Sequence, residues 1–235
     1  FTELVNRMTS IEYKGTLTGV LHTFNDSLAD AVINEKTELL YGQDYIEEEL
    51  LGLRFKITPF SFFQTNSLGA EVLYSKAREY VLSGGFGDVA DSKPVIYDLY
   101  TGTGTIAQML SPVASKVIGV EIVGKAIENA KINAKLNNID NAEFICADAP
   151  TAAKKLEKAD VIILDPPRKG CDASLFDTVC QMSPERIVYV SCDSSTLARD
   201  LKILDEKGYK TKRVCAVDMF PRTPHVEAVA LIEKL

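Results

Sequence analysis

From Lys93 to its C-terminus the chain repeats one pattern: a short apolar, β-branched run, then a helix-patterned stretch, then another run. The expected strands are Val95–Tyr100, Lys116–Glu121, Ala142–Ala147, Asp160–Asp165, Arg186–Cys192, Lys210–Val217 and Val226–Ile232, with helices such as Thr105–Leu110, Gly124–Leu136 and Ser194–Glu206 between the first six. Strands this continuously apolar must be covered on both faces. That requirement leaves an α/β fold with a doubly wound, mostly parallel sheet of seven strands.

The front of the chain is different. Residues 1–60 alternate short β-rich runs with polar turns, as in Gly15–Phe24 and Thr37–Gly42, and we read them as a small antiparallel sheet, a partial β subdomain. A helix over Asn66–Leu82, with Leu68, Val72, Ala77 and Val81 near one face, and a glycine-rich stretch from Ser83 make 61–92 a connecting helix and linker; 93–235 is the main domain. The net charge of −7 is concentrated at the front: residues 1–60 hold 10 acids and 5 bases, the remainder 23 and 21. A protein gripping nucleic acid by charge alone is usually basic. The chain begins with Phe1, and we expect it to be a piece of a longer polypeptide. No apolar run approaches the roughly 20 residues that span a bilayer, so a cytoplasmic protein without a membrane partner is expected. Five cysteines with no C-x-x-C pair argue for reduced thiols and against a disulfide, zinc or iron–sulfur framework. No metal site is expected.

The chemistry gathers at strand ends. The first strand closes on Asp98-Leu-Tyr-Thr-Gly-Thr-Gly-Thr-Ile-Ala107, a G-x-G-x-x-A turn opening a helix, and the second ends at Glu121, 19 residues after Gly102. Glycines let the backbone approach a ligand, and the acid can accept from both hydroxyls of a ribose. A nucleoside-bearing cofactor follows, either NAD or S-adenosylmethionine. Asp148, past the third strand, suits either an adenine amine or a helix N-cap. Asp165-Pro-Pro-Arg168 forms a rigid turn at the carboxyl edge of the sheet, where α/β ligands bind. Cys192, between Ser191 and Asp193 at a strand-to-helix junction, is the best nucleophile candidate, because the following helix N-terminus would favour a thiolate. Cys146, Cys180 and Cys215 read as small hydrophobes, Cys171 stays open, and His22 reads as surface. Glu227, entering the last apolar strand after His225, is either a solvated strand end or a deliberately held base.

In order along the chain, Phe62-Phe-Gln-Thr-Asn66, Asp98-Leu-Tyr-Thr-Gly-Thr-Gly104, Asp165-Pro-Pro-Arg-Lys-Gly170, Ser191-Cys-Asp193 and Phe220-Pro-Arg-Thr-Pro-His-Val-Glu227 resemble the RNA 5-methyluridine (uracil-C5) methyltransferase family. The resemblance runs from about Gly52 to the end. It implies a Rossmann-like class I methyltransferase fold, S-adenosylmethionine as cofactor and an RNA substrate, with 23S rRNA favoured over tRNA. It also implies roles: Gln64, Tyr100, Thr105, Glu121 and Asp165 contact the cofactor beside Gly102, Gly104 and Asp148, Cys192 is the nucleophile and Glu227 the general base. Thr105 departs from the asparagine common at its position. Members commonly carry an N-terminal RNA-gripping β-barrel, the TRAM domain, and some an iron–sulfur cluster; neither is visible here. The RNA grip is therefore expected from an N-terminal domain outside this chain, and residues 1–60 resemble, more weakly, the region that helps hold the RNA target.

Uracil chemistry explains the residue types. Carbon 5 is too poor a nucleophile to take a methyl group directly, so a thiolate must first add to carbon 6, and afterwards a base must remove the carbon 5 proton before the cysteine can leave. An NAD-dependent oxidoreductase would account for the glycines and Glu121 but gives Cys192, Asp165 and Glu227 no joint purpose. An amino-nitrogen methyltransferase would want an aromatic where Arg168 stands. An RNA 5-methylcytidine enzyme shares the cysteine chemistry, and a silent RNA-binding module fits the acidic balance worst.

Overall fold

Two clusters of buried side chains explain the architecture, because consecutive residues of each central strand feed opposite ones. Ile96, Val117, Ile163, Val188 and Val229 point to one, Tyr97, Ile118, Ile162, Tyr189 and Ala230 to the other. This is the period-2 geometry of a strand covered on both faces. The computed structural model describes residues 1–25, 36–85 and 93–235.

In chain order these residues form α1 (Thr2–Thr9), β1 (Gly19–Phe24), β2 (Lys36–Gly42), β3 (Ile46–Leu50), β4 (Leu53–Ile57), α2 (Ser67–Leu82), β5 (Val95–Asp98), α3 (Thr105–Leu110), β6 (Lys116–Glu121) and α4 (Gly124–Leu136). There follow β7 (Ala142–Cys146), α5 (Ala149–Ala153), β8 (Val161–Leu164), α6 (Ala173–Met182), β9 (Arg186–Ser191), α7 (Ser194–Glu206), β10 (Tyr209–Val217) and β11 (Glu227–Lys234). The seven-stranded sheet has the order β10-β11-β9-β8-β5-β6-β7. Strands β9, β8, β5, β6 and β7 are mutually parallel, and β11 lies antiparallel to both β9 and β10. The chain leaves β5 toward β6 and then returns to β8 on its other side, so a crevice opens at the carboxyl ends of these strands. The seven expected strands and three named helices are present, and the α/β reading stands.

The front of the chain departs from expectation. It is not one small sheet but two separate antiparallel hairpins, β1–β2 and β3–β4, preceded by a helix. Helix α1 buries none of its residues, although Leu4, Val5 and Met8 fall on one face at helical spacing. His22 is not a plain surface residue: its ring lies 4.3 Å from that of Phe1 and 4.2 Å from that of Phe24. Helix α2 forms where expected, its N-terminus capped by Asn66, but it buries Ala70, Leu73, Tyr74, Ala77, Tyr80 and Val81 while Leu68 and Val72 are exposed. At 100° per residue Leu68 and Val72 project opposite Ala77 and Val81, so the four do not share a face. Residues 86–92 of the expected linker lie outside the described residues. Among the described residues no helix is long and apolar enough to cross a membrane.

Candidate active site

The turn after β5 is built around two glycines with different tasks. Gly102 takes φ +54°, and a β-carbon there would meet no protein atom within 4 Å; it would project into open space. Gly104, at φ +78° and capping α3, would drive a β-carbon to 2.7 Å from the Phe144 ring. Gly102 therefore leaves room for a ligand, whereas Gly104 is a packing glycine and does not face the cavity that Gly102 borders. Beneath the turn Asp98 is fully buried and accepts from the Thr101 hydroxyl at 2.8 Å. Burial pushes its carboxyl up to about 6, with the Thr101 bond opposing.

A cavity of about 660 Å³ opens over this turn, within the range that holds a small-molecule ligand. On one side Glu121 closes it. Its carboxylate accepts the backbone N–H of Gly102 at 3.2 Å and that of Val123 at 2.9 Å, which aims the acid across the glycine turn. Asp148 accepts the Thr151 N–H at 3.0 Å as N-cap of α5, and hydrogen bonds from Thr151 hold its pKa below the usual carboxylate range. It is thus a helix cap that also borders the cavity. Thr105, buried, pairs its hydroxyl with that of Thr103 at 3.3 Å, and the half-buried Tyr100 lies above it.

On the other side the same cavity meets Asp165, Cys192 and Glu227. Burial, reinforced by Asp98 and Glu227, pushes Asp165 well above the ordinary carboxylate range. Burial likewise raises Glu227, with Arg168 opposing. The Cys192 thiol is raised by burial first, then by Glu227, while Arg168 pulls it down. The pair meets because of the reversed strand: Ala228 of β11 pairs with Ser191 of β9, so the next antiparallel step sets Glu227 opposite Cys192. Beside Cys192 the start of α7 is already capped. Asp193 caps it, its carboxylate accepting the N–H groups of Ser195 and Thr196, each at 2.9 Å. Arg168, at 3.5 Å from His225 Nδ1, is the cation that favours the thiolate.

The third wall comes from the segment before α2. Gln64 and the exposed Phe62 line the cavity with Tyr74, whose hydroxyl is pushed up by burial and by Asp165, Asp98 and Glu227, with Gln64 opposing. Asn66 accepts the Gly69 N–H at 3.0 Å as the α2 cap and donates to the Met219 carbonyl at 2.8 Å. It ties the Phe62–Asn66 segment to the loop that leads into Glu227. Of the residues singled out in the sequence, Gln64, Tyr100, Gly102, Thr105 and Glu121 border this one cavity together with Asp148, Asp165, Cys192 and Glu227; Gly104 does not.

Sequence reasoning missed Tyr74 and undervalued Arg168. Tyr74 was legible only through the correct phase of α2. Outside the cavity, Cys171 is settled as a buried thiol, raised to about 12 by burial, with its N–H given to Asp200 at 2.9 Å. Cys146 is exposed rather than a core hydrophobe, its Sγ within 3.6 Å of the Ile122 carbonyl; it stands at the end of β7, the edge strand, where only one side is covered.

The family model described as tRNA (uracil-5-)-methyltransferase matches residues 31–235. An uncharacterized RNA methyltransferase of Caldanaerobacter subterraneus subsp. tengcongensis is 51% identical over 235 residues, all of this chain and 51% of that protein. One from Clostridium tetani is 52% identical over 231 residues, covering 97% of this chain and 48% of its own length. The chain thus spans about half the length of these relatives. Among solved structures, the Pyrococcus abyssi tRNA (uracil-54, C5)-methyltransferase in complex with S-adenosyl-L-homocysteine superposes with a TM-score of 0.76 at 34% identity, over 93% of this chain and 51% of that one.

Proposed function

The chain belongs to the tRNA (uracil-5-)-methyltransferase family, and from that premise we propose that it carries the catalytic half of an enzyme that methylates carbon 5 of a uridine in RNA. Bound S-adenosylmethionine supplies an electrophilic methyl group. The residues present fit it: there is space beside Gly102, the carboxylate of Glu121 would hold the ribose hydroxyls, Asp148 would accept from the adenine amine, and Gln64, Tyr100, Thr105 and Asp165 would surround the remainder.

The observation that carries the reading is the cross-strand placement of Cys192 and Glu227 at the mouth of that cavity. The Cys192 thiolate adds to carbon 6 of the uracil and the ring becomes an enolate whose carbon 5 would take the methyl group as its bond to the sulfonium sulfur breaks, leaving S-adenosylhomocysteine. Glu227 then accepts the carbon 5 proton, the double bond re-forms and the Cys192 thiolate leaves with the bonding pair. Arg168 stabilises the thiolate at both ends of the cycle. The target base must leave its stack to reach both groups, which costs a few kcal/mol, and the exposed Phe62 ring at the rim offers it a stacking surface.

We further propose residues 1–60 as the part that holds the RNA target, 61–92 as connector and 93–235 as catalytic domain, in a cytoplasmic enzyme whose RNA grip is completed by an N-terminal domain outside this chain. For the substrate we propose 23S rRNA; the solved Pyrococcus relative carries a tRNA name. Incubating the full-length protein with labelled S-adenosylmethionine and unmodified rRNA or tRNA, then identifying the product nucleoside by mass spectrometry, tests both levels. 5-Methyluridine in rRNA is the expected product; 5-methyluridine confined to tRNA overturns the substrate, and 5-methylcytidine or no methyl transfer overturns the reaction.

A further inference from the structure

Helix α4, which begins directly after Glu121, presents asparagines at three successive turns: Asn129, Asn133 and, just past its end, Asn137. All three are spent on the segment that runs from β4 toward Gln64. The Asn137 amide accepts the Arg54 N–H at 2.9 Å and donates to the Arg54 carbonyl at 2.8 Å. The Asn133 amide does the same for Lys56, at 2.8 and 3.2 Å. Residues 54 and 56 are the alternate positions of β4 that turn their backbone groups away from β3, so the two amides replace the neighbouring strand this edge lacks. The match is geometric, since four helical residues rise about 6 Å and two strand residues about 6.7 Å.

The third rung differs. At 58 the strand has ended, and the Asn129 Nδ2 donates instead to the Thr58 hydroxyl at 3.1 Å and the Ser61 hydroxyl at 2.6 Å. These two hydroxyls lie 2.7 Å apart, and the Ser61 N–H returns to the Thr58 carbonyl at 3.0 Å. Asn129 is buried, so neither water nor a side-chain swing substitutes for these bonds. The turn it closes is the one from which Phe62, Phe63 and Gln64 project into the cavity.

We propose that Asn129 is a positioning residue: through Thr58 and Ser61 it fixes the Phe62–Gln64 arm over the cavity, and the helix launched from the Glu121 wall thereby sets the third wall. The two lower rungs dock the β3–β4 hairpin; the upper rung sets the site. This rests on the functional reading above, because it takes Gln64 as a cofactor contact.

Calorimetric titration with S-adenosylhomocysteine tests it. Asn129→Ala and Ser61→Ala should each weaken binding by about tenfold, the worth of one buried hydrogen bond. The double variant should be no weaker than the worse single one, because both break the same tie. Asn137→Ala should lower the thermal midpoint and leave the Kd within about twofold, since it loosens docking two rungs away. Unchanged Kd in Ser61→Ala, whose partly exposed hydroxyl can be lost without a cavity, overturns the proposal even if Asn129→Ala fails to fold; so does full additivity in the double variant. Wild-type protein that binds no S-adenosylhomocysteine overturns the functional reading itself, a result distinct from tight wild-type binding that the variants leave intact.

Discussion

The two sides of the cavity treat their carboxylates in opposite ways. On the β6–β7 side, Glu121 takes two backbone N–H groups and Asp148 caps a helix, so both acids are held by donors and Asp148 titrates below its ordinary range. On the β8–β9–β11 side, Asp165 and Glu227 share a desolvated patch with the Cys192 thiol, and all three are pushed upward. A carboxylate dressed with N–H donors stays ionised and binds; one stripped of water and set near other anions is poised to accept a proton. On the proposed reading the division between binding and chemistry follows solvation within one cavity, except that Asp165, a proposed cofactor contact, lies on the desolvated side; both walls come from strand ends of a single sheet.

The largest effect should come from the chemical side. Cys192→Ala should abolish methyl transfer and every covalent RNA adduct while S-adenosylhomocysteine still binds; activity equal to wild type would break the mechanism. Glu227→Gln should slow turnover by about 10²- to 10⁴-fold and leave a denaturation-resistant protein–RNA adduct visible on a gel, because the cysteine cannot be expelled until the carbon 5 proton is gone. On the binding side Glu121→Ala should weaken S-adenosylhomocysteine by roughly 10- to 100-fold, as expected for hydrogen bonds to a charged group, and should raise KM more than it lowers kcat. If Glu121→Ala and Glu227→Gln gave the same kinetic signature, the two walls would not be doing different work.

Much of this was readable beforehand for a physical reason. The sheet is covered on both faces, so each central strand had to be an apolar run, and its site residues sit where those runs stop; counting to the end of each run locates Glu121, Asp165 and Cys192. What escaped was held together by polar atoms. The β4 edge is satisfied by Asn133 and Asn137, and in a sequence a buried asparagine looks the same as a solvated one. Helix α5 has five residues with a proline in its first turn, too few to establish a period. The capping of α7 by Asp193 follows from Asp at a helix start, yet its taking the N–H groups of both Ser195 and Thr196 on one carboxylate oxygen was visible only from the two distances.

Buried Asp98 belongs to neither wall and allows a test of solvation alone. Its carboxyl stands near 6 in the folded protein, against about 4 for an exposed aspartate. A group raised by folding contributes stability that is complete below the unfolded value and lost as pH rises through the folded one. Asp98→Asn keeps an acceptor for the Thr101 hydroxyl and removes the charge. In urea unfolding the stability gap between variant and wild type should therefore shift in the variant's favour by on the order of 2 kcal/mol from pH 4 to pH 8. A gap independent of pH would mean that the amide changes packing rather than charge.

The smallest effect tests what favours the thiolate. Arg168 is exposed, and its neighbour His225 is exposed as well, so water and salt screen the guanidinium that faces Cys192. Screening limits Arg168→Met to a small rise in the pH midpoint for alkylation of Cys192 by iodoacetamide, read by peptide mass spectrometry so that the exposed Cys146 is counted separately. Because the Arg168 guanidinium is exposed to solvent, raising the salt to about 1 M, where the Debye length falls to roughly 3 Å, should move the wild-type midpoint toward that of the variant. A wild-type midpoint that ignored salt would place the source of thiolate stabilisation in buried groups, and the chemical wall would then owe its reactivity to the same fixed dipoles that serve the binding wall.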